Sequence, residues 1–483
     1  MSLDEYAAHD GLGLAALVAK KEVTPKELLD TALAAIAQLN PRINAVCRTL
    51  PEMAAATLAA GVPSGPFRGV PLLTKELVPH AKGVRCDGGS RLAEGLVATH
   101  DSELMARFRR AGFVHAGTTQ SPELGYSPTT ENKLFGPVRN PWDPARSAGG
   151  SSGGAGAAVA AGIVPIAHAT DGGGSIRIPA SCNGLVGLKP SRDRMPSGPD
   201  IADPLCGLAV EFLLARSVRD VAAGLDALSG PDPGTPGLSP PPAQPFRTLA
   251  ATPPGRLRIA WTATPASGAA PDPECAAAAQ AAAALLEELG HTVVEDAPAL
   301  DWEAFLANVH VIWTVSTVSF ADFLGSLTGR KPGPDTLEAA TLACYEDGLR
   351  YRAIDLMHAL EYGGIVSRGV GRFFEGIDVL VTPTLASPPA PLGTIDQDRA
   401  GITAMEWTRE VFGYCPFTPL YNTTGQPAIS LPLHQTVSGV PVGVQFAARI
   451  GEEATLLRLA AQIEAARPWA ARRPPIHVTA AAR

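Results

Sequence analysis

The residues whose types and spacing could do chemistry lie in one stretch, from Arg146-Ser-Ala-Gly-Gly-Ser-Ser-Gly-Gly-Ala to Asp171-Gly-Gly-Gly-Ser-Ile-Arg-Ile-Pro-Ala180. Two glycine clusters, each holding serine, bracket an apolar segment, Ala155 to Ala161, that closes on Gly162; a β-like run from Ile163 to Ala169 follows. Glycine runs weaken a scaffold unless the backbone has something unusual to do. One such task is to aim several N–H groups at one small volume, where they can hold the oxyanion that develops in acyl transfer. On this reading Gly172, Gly173, Gly174 and Ser175 form the hole and Ser175 is the nucleophile beside it. Asp171 and Arg177 flank that serine and are expected to pair, bracing the loop.

Other uses of the same residues stay open at this point. Glycine–serine runs also make flexible loops and phosphate cradles, although neither G-x-x-x-x-G-K-[ST] nor G-x-G-x-x-G fits the spacing. G-x-S-x-G occurs at Gly149 to Gly153 and at Gly150 to Gly154, and an α/β-hydrolase elbow there would require an acid and then a histidine downstream. Ten histidines are dispersed, and His168 is nearest to Ser175. Lys75, taken by itself, reads as an ordinary surface lysine.

Taken together, the motifs resemble those of the amidase signature family. Gly149-Gly-Ser-Ser-Gly-Gly154, Asp171 to Ala180 and Gly184-Leu-Val-Gly-Leu-Lys-Pro190 match its central segments. Gly69-Val-Pro-Leu-Leu-Thr-Lys-Glu76 looks like its catalytic-lysine segment, and Arg139-Asn-Pro-Trp-Asp143 like the run before the serines. Asp378-Val-Leu-Val-Thr-Pro-Thr384, Asn422-Thr-Thr-Gly-Gln-Pro-Ala428 and Gly439-Val-Pro-Val-Gly-Val-Gln445 look like its closing elements. The resemblance implies a triad of Ser175 as nucleophile, Ser151 as a bridging serine held by a cis peptide bond, and Lys75 as base, with Ser152 a structural neighbour. Many relatives have threonine where Gly172 stands and aspartate where Glu76 stands; neither change removes a proposed catalytic group. A serine hydroxyl needs a base, and lysine serves only when neutral, which an apolar lead-in such as Val70-Pro-Leu-Leu favours.

For 483 residues, 46% of them hydrophobic, length alone suggests about three domains, whereas the resemblance implies one domain, residues 1–483. Within it a signature core would span 65–230, a proline-rich connector 231–256, a variable pocket-roofing region 300–375 and the C-terminal part of the core 376–470. Thirty-nine basic against 47 acidic residues give a net charge of −8, with no basic stripe, so nucleic acid is not an expected partner. Seven scattered cysteines without a C-x-x-C pair argue against a zinc site or a disulfide framework. Cys182, near the nucleophile in sequence, reads as a packed thiol. No metal or cofactor is expected. The start lacks a basic leader and no window approaches a membrane span, so a cytoplasmic protein is expected.

The elements that must position these groups follow from periodicity. Thr24-Pro25-Lys26-Glu27 is a capping box opening a helix that Asn40-Pro41 should stop. Val70 to Leu73 reads as a strand leading to Lys75; Leu104, Phe108 and Ala111 mark a helix face, and Phe113 to Ala116 the next strand. Leu257 to Trp261 and Thr292 to Glu295 read as strands around a helix from Glu274 to Leu289. Such alternation argues an α/β architecture with a buried sheet, and the resemblance makes that sheet mixed and covered by helices on both faces. From about Trp302 to Phe374 the chain departs most from the family motifs. Its aromatics Phe305, Trp313, Phe320, Phe323, Tyr345 and Tyr351 suggest helices roofing a pocket, which Tyr126, Thr129 and Thr130 help to line. The expected reaction is hydrolysis of a C–N acyl bond in a small-molecule amide, carbamate or ester. The alternatives are a glutamine-hydrolysing amidotransferase subunit of the same family and a glycine-loop nucleotide-binding protein.

Overall fold

Thr24 opens its helix as the capping box requires: its hydroxyl accepts from Glu27 N, and the Glu27 carboxylate accepts from Thr24 N. The helix, Pro25–Ile43, does not stop at Pro41 but runs through it to Asn44, whose φ of 52° is left-handed. A proline in the final turn forfeits a single i−4 bond, so the left-handed residue decides where the helix ends. The computed structural model describes residues 1–78, 80–235 and 237–480.

The strands among them are β1 (Val46–Thr49), β2 (Pro71–Lys75), β3 (Val114–Thr119), β4 (Glu131–Asn132), β5 (Gly136–Pro137), β6 (Ile166–Asp171) and β7 (Val186–Lys189). They continue with β8 (Val210–Ala215), β9 (Arg258–Trp261), β10 (Thr292–Glu295), β11 (Val379–Pro383), β12 (Ala428–Gln435) and β13 (Pro441–Ala447). β4 and β5 form a small hairpin; the other eleven make one sheet in the order β1-β3-β2-β6-β8-β7-β12-β13-β11-β9-β10. It is mixed: β3, β2 and β6 run parallel, as do β11, β9 and β10, and the remaining neighbours are antiparallel. Every residue of β2, β3, β6, β7, β11 and β13 is buried, which requires cover on both faces of the sheet. The chain is a single large α/β domain.

Lys75 lies within β2, at its end. The glycine–serine loop feeds the helix Gly153–Ala160, all of whose residues are buried. Small residues are what let it approach so closely: a Cβ on Gly154 would stand 2.5 Å from Ala45 O and from Gln120 N. The proline-rich run carries one short helix, Phe246–Ala250, among the described residues, and is tied down by Arg107 and Arg194, which donate to the carbonyls of Pro231 and Pro240.

Three helices, Trp302–Thr328, Ala339–Gly348 and Ala353–Gly376, occupy the variable region. The first is long and apolar enough, by length and composition, to cross a bilayer, which corrects the expectation that no window comes near a span. Half of that window is buried inside the protein, as a core helix requires.

Candidate active site

β2 and β6 run side by side and in parallel, which brings their C-terminal residues to the same end of the sheet. Lys75 Nζ donates to Ser151 Oγ at 2.7 Å and to Thr170 Oγ1 at 2.8 Å, and the side chain is 1% exposed. No carboxylate forms an ion pair with it among the described residues. Burial pushes the Lys75 ammonium down to about 7, against the opposing pull of Glu211 and Asp171. The amine is therefore neutral in a large fraction of molecules near neutral pH.

The adjacent serines have separate tasks. Ser151, whose peptide bond to Gly150 is cis, faces Lys75; Ser152 turns to β6, donating to Thr170 O and accepting from Thr170 N, both at 3.3 Å. Ser175 opens onto the same cavity as Ser151, and no hydrogen bond joins the two hydroxyls among the described residues. The backbone N–H groups of Gly172, Gly173, Gly174 and Ser175 have no protein acceptor among the described residues, whereas the next amide, Ile176 N, donates to Asp171 Oδ2 at 3.2 Å. Gly174 has φ of 142°, and a Cβ there would meet Thr418 Oγ1 at 2.5 Å. At this position only glycine fits.

Beneath the loop lies the expected Asp171–Arg177 pair, fully buried, with Nε to Oδ2 at 2.9 Å and Nη2 to Oδ1 at 2.8 Å. Arg177 also donates to Thr418 O, Gln445 Oε1 and Asn422 Oδ1, and Asn422 donates back to Asp171. Burial pushes the Asp171 carboxyl up; the Arg177 guanidinium more than offsets this and holds it at about 2.

The cavity measures about 580 Å³. Tyr126 and Trp313 stack in its wall with ring centroids 4.6 Å apart, and Phe320 and Phe323 extend it outward. Thr129 and Thr130 are not in the wall. They are buried behind the serine loop, where Thr130 Oγ1 donates to Gly149 O at 2.8 Å and accepts from Gly153 N at 3.2 Å. Phe305 packs in the core, while Tyr345 hydrogen-bonds Asp322 and the Tyr351 ring meets His310 edge-on. Cys182 is a buried free thiol. Thr170, the second partner of Lys75, and the Asp200-to-Cys206 wall escaped the sequence reading. Thr170 had a signal, its place one residue before Asp171; the wall segment had none.

The family model for amidases matches residues 27–457. The chain belongs to the amidase family. Over 97% of its length this amidase is 40% identical to the 6-aminohexanoate-cyclic-dimer hydrolase of Paenarthrobacter ureafaciens, 96% of which is covered. It is similar to the solved structure of a 6-aminohexanoate cyclic dimer hydrolase with a TM-score of 0.92 at 38% identity, over 97% of this chain and 99% of that one. A bacterial aryl acylamidase of the amidase signature family is similar at a TM-score of 0.87 and 27% identity, over 96% and 99% of the two chains. The amidase thus shares its architecture with proteins named for cleaving amides.

Proposed function

We propose that this amidase hydrolyses uncharged small-molecule amides through Ser175, with Ser151 and Lys75 as its proton relay. The observation that carries the reading is the buried Lys75 Nζ, 2.7 Å from Ser151 Oγ and without a carboxylate partner among the described residues. A neutral amine at that distance can take the Ser151 hydroxyl proton as readily as donate to the oxygen, and Ser151 in turn draws the proton of Ser175. The Ser175 oxygen bonds to the carbonyl carbon, and the four unpaired amides from Gly172 to Ser175 receive the oxyanion. The relay then returns the proton to the leaving nitrogen as the C–N bond breaks. Water, deprotonated by the same relay, cleaves the acyl-enzyme to the acid and frees Ser175.

The substrate class rests on the cavity wall. It carries mostly apolar and aromatic side chains, a few hydroxyls, Asp200, Asp203 and Glu211, and no arginine or lysine among the described residues, so a neutral acyl group is admitted and a carboxylate repelled. The cyclic-dimer hydrolases, by their name, take a neutral amide of this kind. Carbamates and esters present the same carbonyl and are expected as weaker side activities. The test is a panel of neutral amides, anilides, carbamates, esters and carboxylate-bearing amides run beside Ser175→Ala. Cleavage of neutral amides that vanishes in the variant supports the proposal; full activity of Ser175→Ala on the cleaved compound overturns it.

A further inference from the structure

Next to Lys75 lies a cluster that the relay does not use. His80, His168 and Glu211 place one nitrogen or oxygen each within 4.8 Å of one another. Both imidazole Nε2 atoms lie close to Glu211 Oε2, at 3.4 Å from His80 and 3.3 Å from His168, and neither forms a hydrogen bond among the described residues. The arrangement looks like a cation site until the protons are counted. His168 Nδ1 accepts the backbone N–H of Lys75 at 3.2 Å, so a neutral His168 carries its proton on Nε2 and has no lone pair to give a metal there. That proton lies 3.3 Å or less from the Glu211 carboxylate without being aligned for a hydrogen bond, so the contact is electrostatic. The cluster is therefore a carboxylate flanked by two imidazoles.

Strand register says what the carboxylate is clamped against. Thr170 on β6 is the direct antiparallel partner of Glu211 on β8, and His168 lies two residues from Thr170 on the same face. Thr170 is the residue whose hydroxyl accepts from Lys75 Nζ. The amine and the carboxylate thus flank one threonine.

The geometry points to Glu211, flanked by His80 and His168 and set across Thr170 from the amine, as a positioning residue for Lys75: its charge governs when the amine is free to accept a proton. This rests on the reading of Lys75 as the base. The groups facing Lys75 are Glu211 on β8, Asp171 and His168 on β6, and His80 after β2; those facing Glu211 are His80, His168 and Lys75. His115 on β3, with Arg109 and Asp101, stands behind His80. Burial pushes the Glu211 carboxyl up, and the two histidines more than offset it, holding it at about 2. Burial likewise pushes His80 down to about 4. Across the working range, then, the pull on Lys75 comes from Glu211 and Asp171, and Asp171 is already matched by Arg177.

The experiment is the pH profile of kcat/KM for Glu211→Gln and Glu211→Asp. Removing a facing negative charge lowers the lysine pKa, so the acidic limb of Glu211→Gln should move to lower pH, by about two units for charges on the order of 6–8 Å apart in a medium of effective dielectric near 20. Glu211→Asp, which keeps the charge, should restore the limb toward the wild-type position. Where Glu211→Gln does not fold, His80→Leu combined with Glu211→Leu removes the carboxylate with one of its donors, and the same downward shift is expected. A limb that stays in place while activity falls uniformly overturns the inference and leaves a merely structural role. Ser175→Ala separates the two levels: if it retains activity the relay reading fails, and if it is dead while the limb stays put, only the role of Glu211 fails.

Discussion

The end of β2 and β6 and the helical roof are built on opposite terms. At the sheet, charged and polar groups are largely buried and each has defined neighbours: Asp171 pairs with Arg177, Lys75 bonds two hydroxyls, and Glu211 lies between two imidazoles. The roof is made of apolar and aromatic side chains that meet the cavity with one face, and parts of it, such as Phe323 at 37% and Leu327 at 49%, are exposed. A sealed polar network admits few substitutions because each partner lost leaves a desolvated group behind, whereas an apolar roof tolerates change in volume and shape. Chemistry is fixed where partners are counted, and selectivity is adjustable where only shape is.

That contrast can be broken first at Lys75. Lys75→Met should lower kcat by at least about a thousandfold, in line with the loss of a proton-transfer group. Stability should move the other way. The folded-state pKa near 7 lies below the unfolded value, so the unfolded chain binds more protons between the two. The lysine therefore costs stability in full below pH 7 and progressively less above it. Calorimetry at pH 6 and pH 9 should show Lys75→Met more stable than the parent at pH 6, with the gain shrinking at pH 9. A variant destabilised at both pH values would mean that the lysine is not held against its charge.

Asp171→Asn tests the counted network next. It leaves Arg177 buried without its counter-charge, at a cost of about 3–5 kcal/mol, which denaturant unfolding would show; a loss below about 1 kcal/mol would make the loop self-supporting. In the parent enzyme, kcat/KM should fall as pH drops through about 7, the position set by burial of Lys75; a profile flat down to pH 5 would remove the lysine from the rate law.

On the roof, Phe320→Ala should alter the ratio of kcat/KM between a bulky and a small neutral amide by about 10- to 200-fold while the pH limb stays in place. Phe323→Ser, at the rim, should shift Tm least, corresponding to within about 0.5 kcal/mol. If the roof variants moved the limb, or the sheet variants changed only selectivity, the division would be wrong.

Sequence alone reached the parts of the site that are local in the chain. Gly172, Gly173, Gly174 and Ser175 form one loop, the Asp171–Arg177 pair spans six residues, and Lys75 and Ser151 lie in motifs that resemble the family's. The antiparallel meeting of β6 and β8 was not legible, because nothing between residues 171 and 210 encodes that Thr170 lies opposite Glu211. Hence the His80, His168 and Glu211 cluster went unread. Thr129 and Thr130 were misplaced for a related reason: nearness in sequence to the serines does not say which side of a loop a hydroxyl takes, and both turned toward the backbone. Pro41 was over-read because a proline's cost depends on its distance from the helix end, which only the left-handed Asn44 reveals.

Arg177 reaches forward to Thr418, Asn422 and Gln445, as much as 268 residues along the chain. During synthesis the Gly172-to-Ser175 loop emerges long before the segments that lock it, and at about 5–20 residues per second many seconds separate the two. A chain cut between residues 177 and 417 would accordingly carry Lys75, Ser151 and Ser175 while leaving Arg177 without Thr418, Asn422 and Gln445.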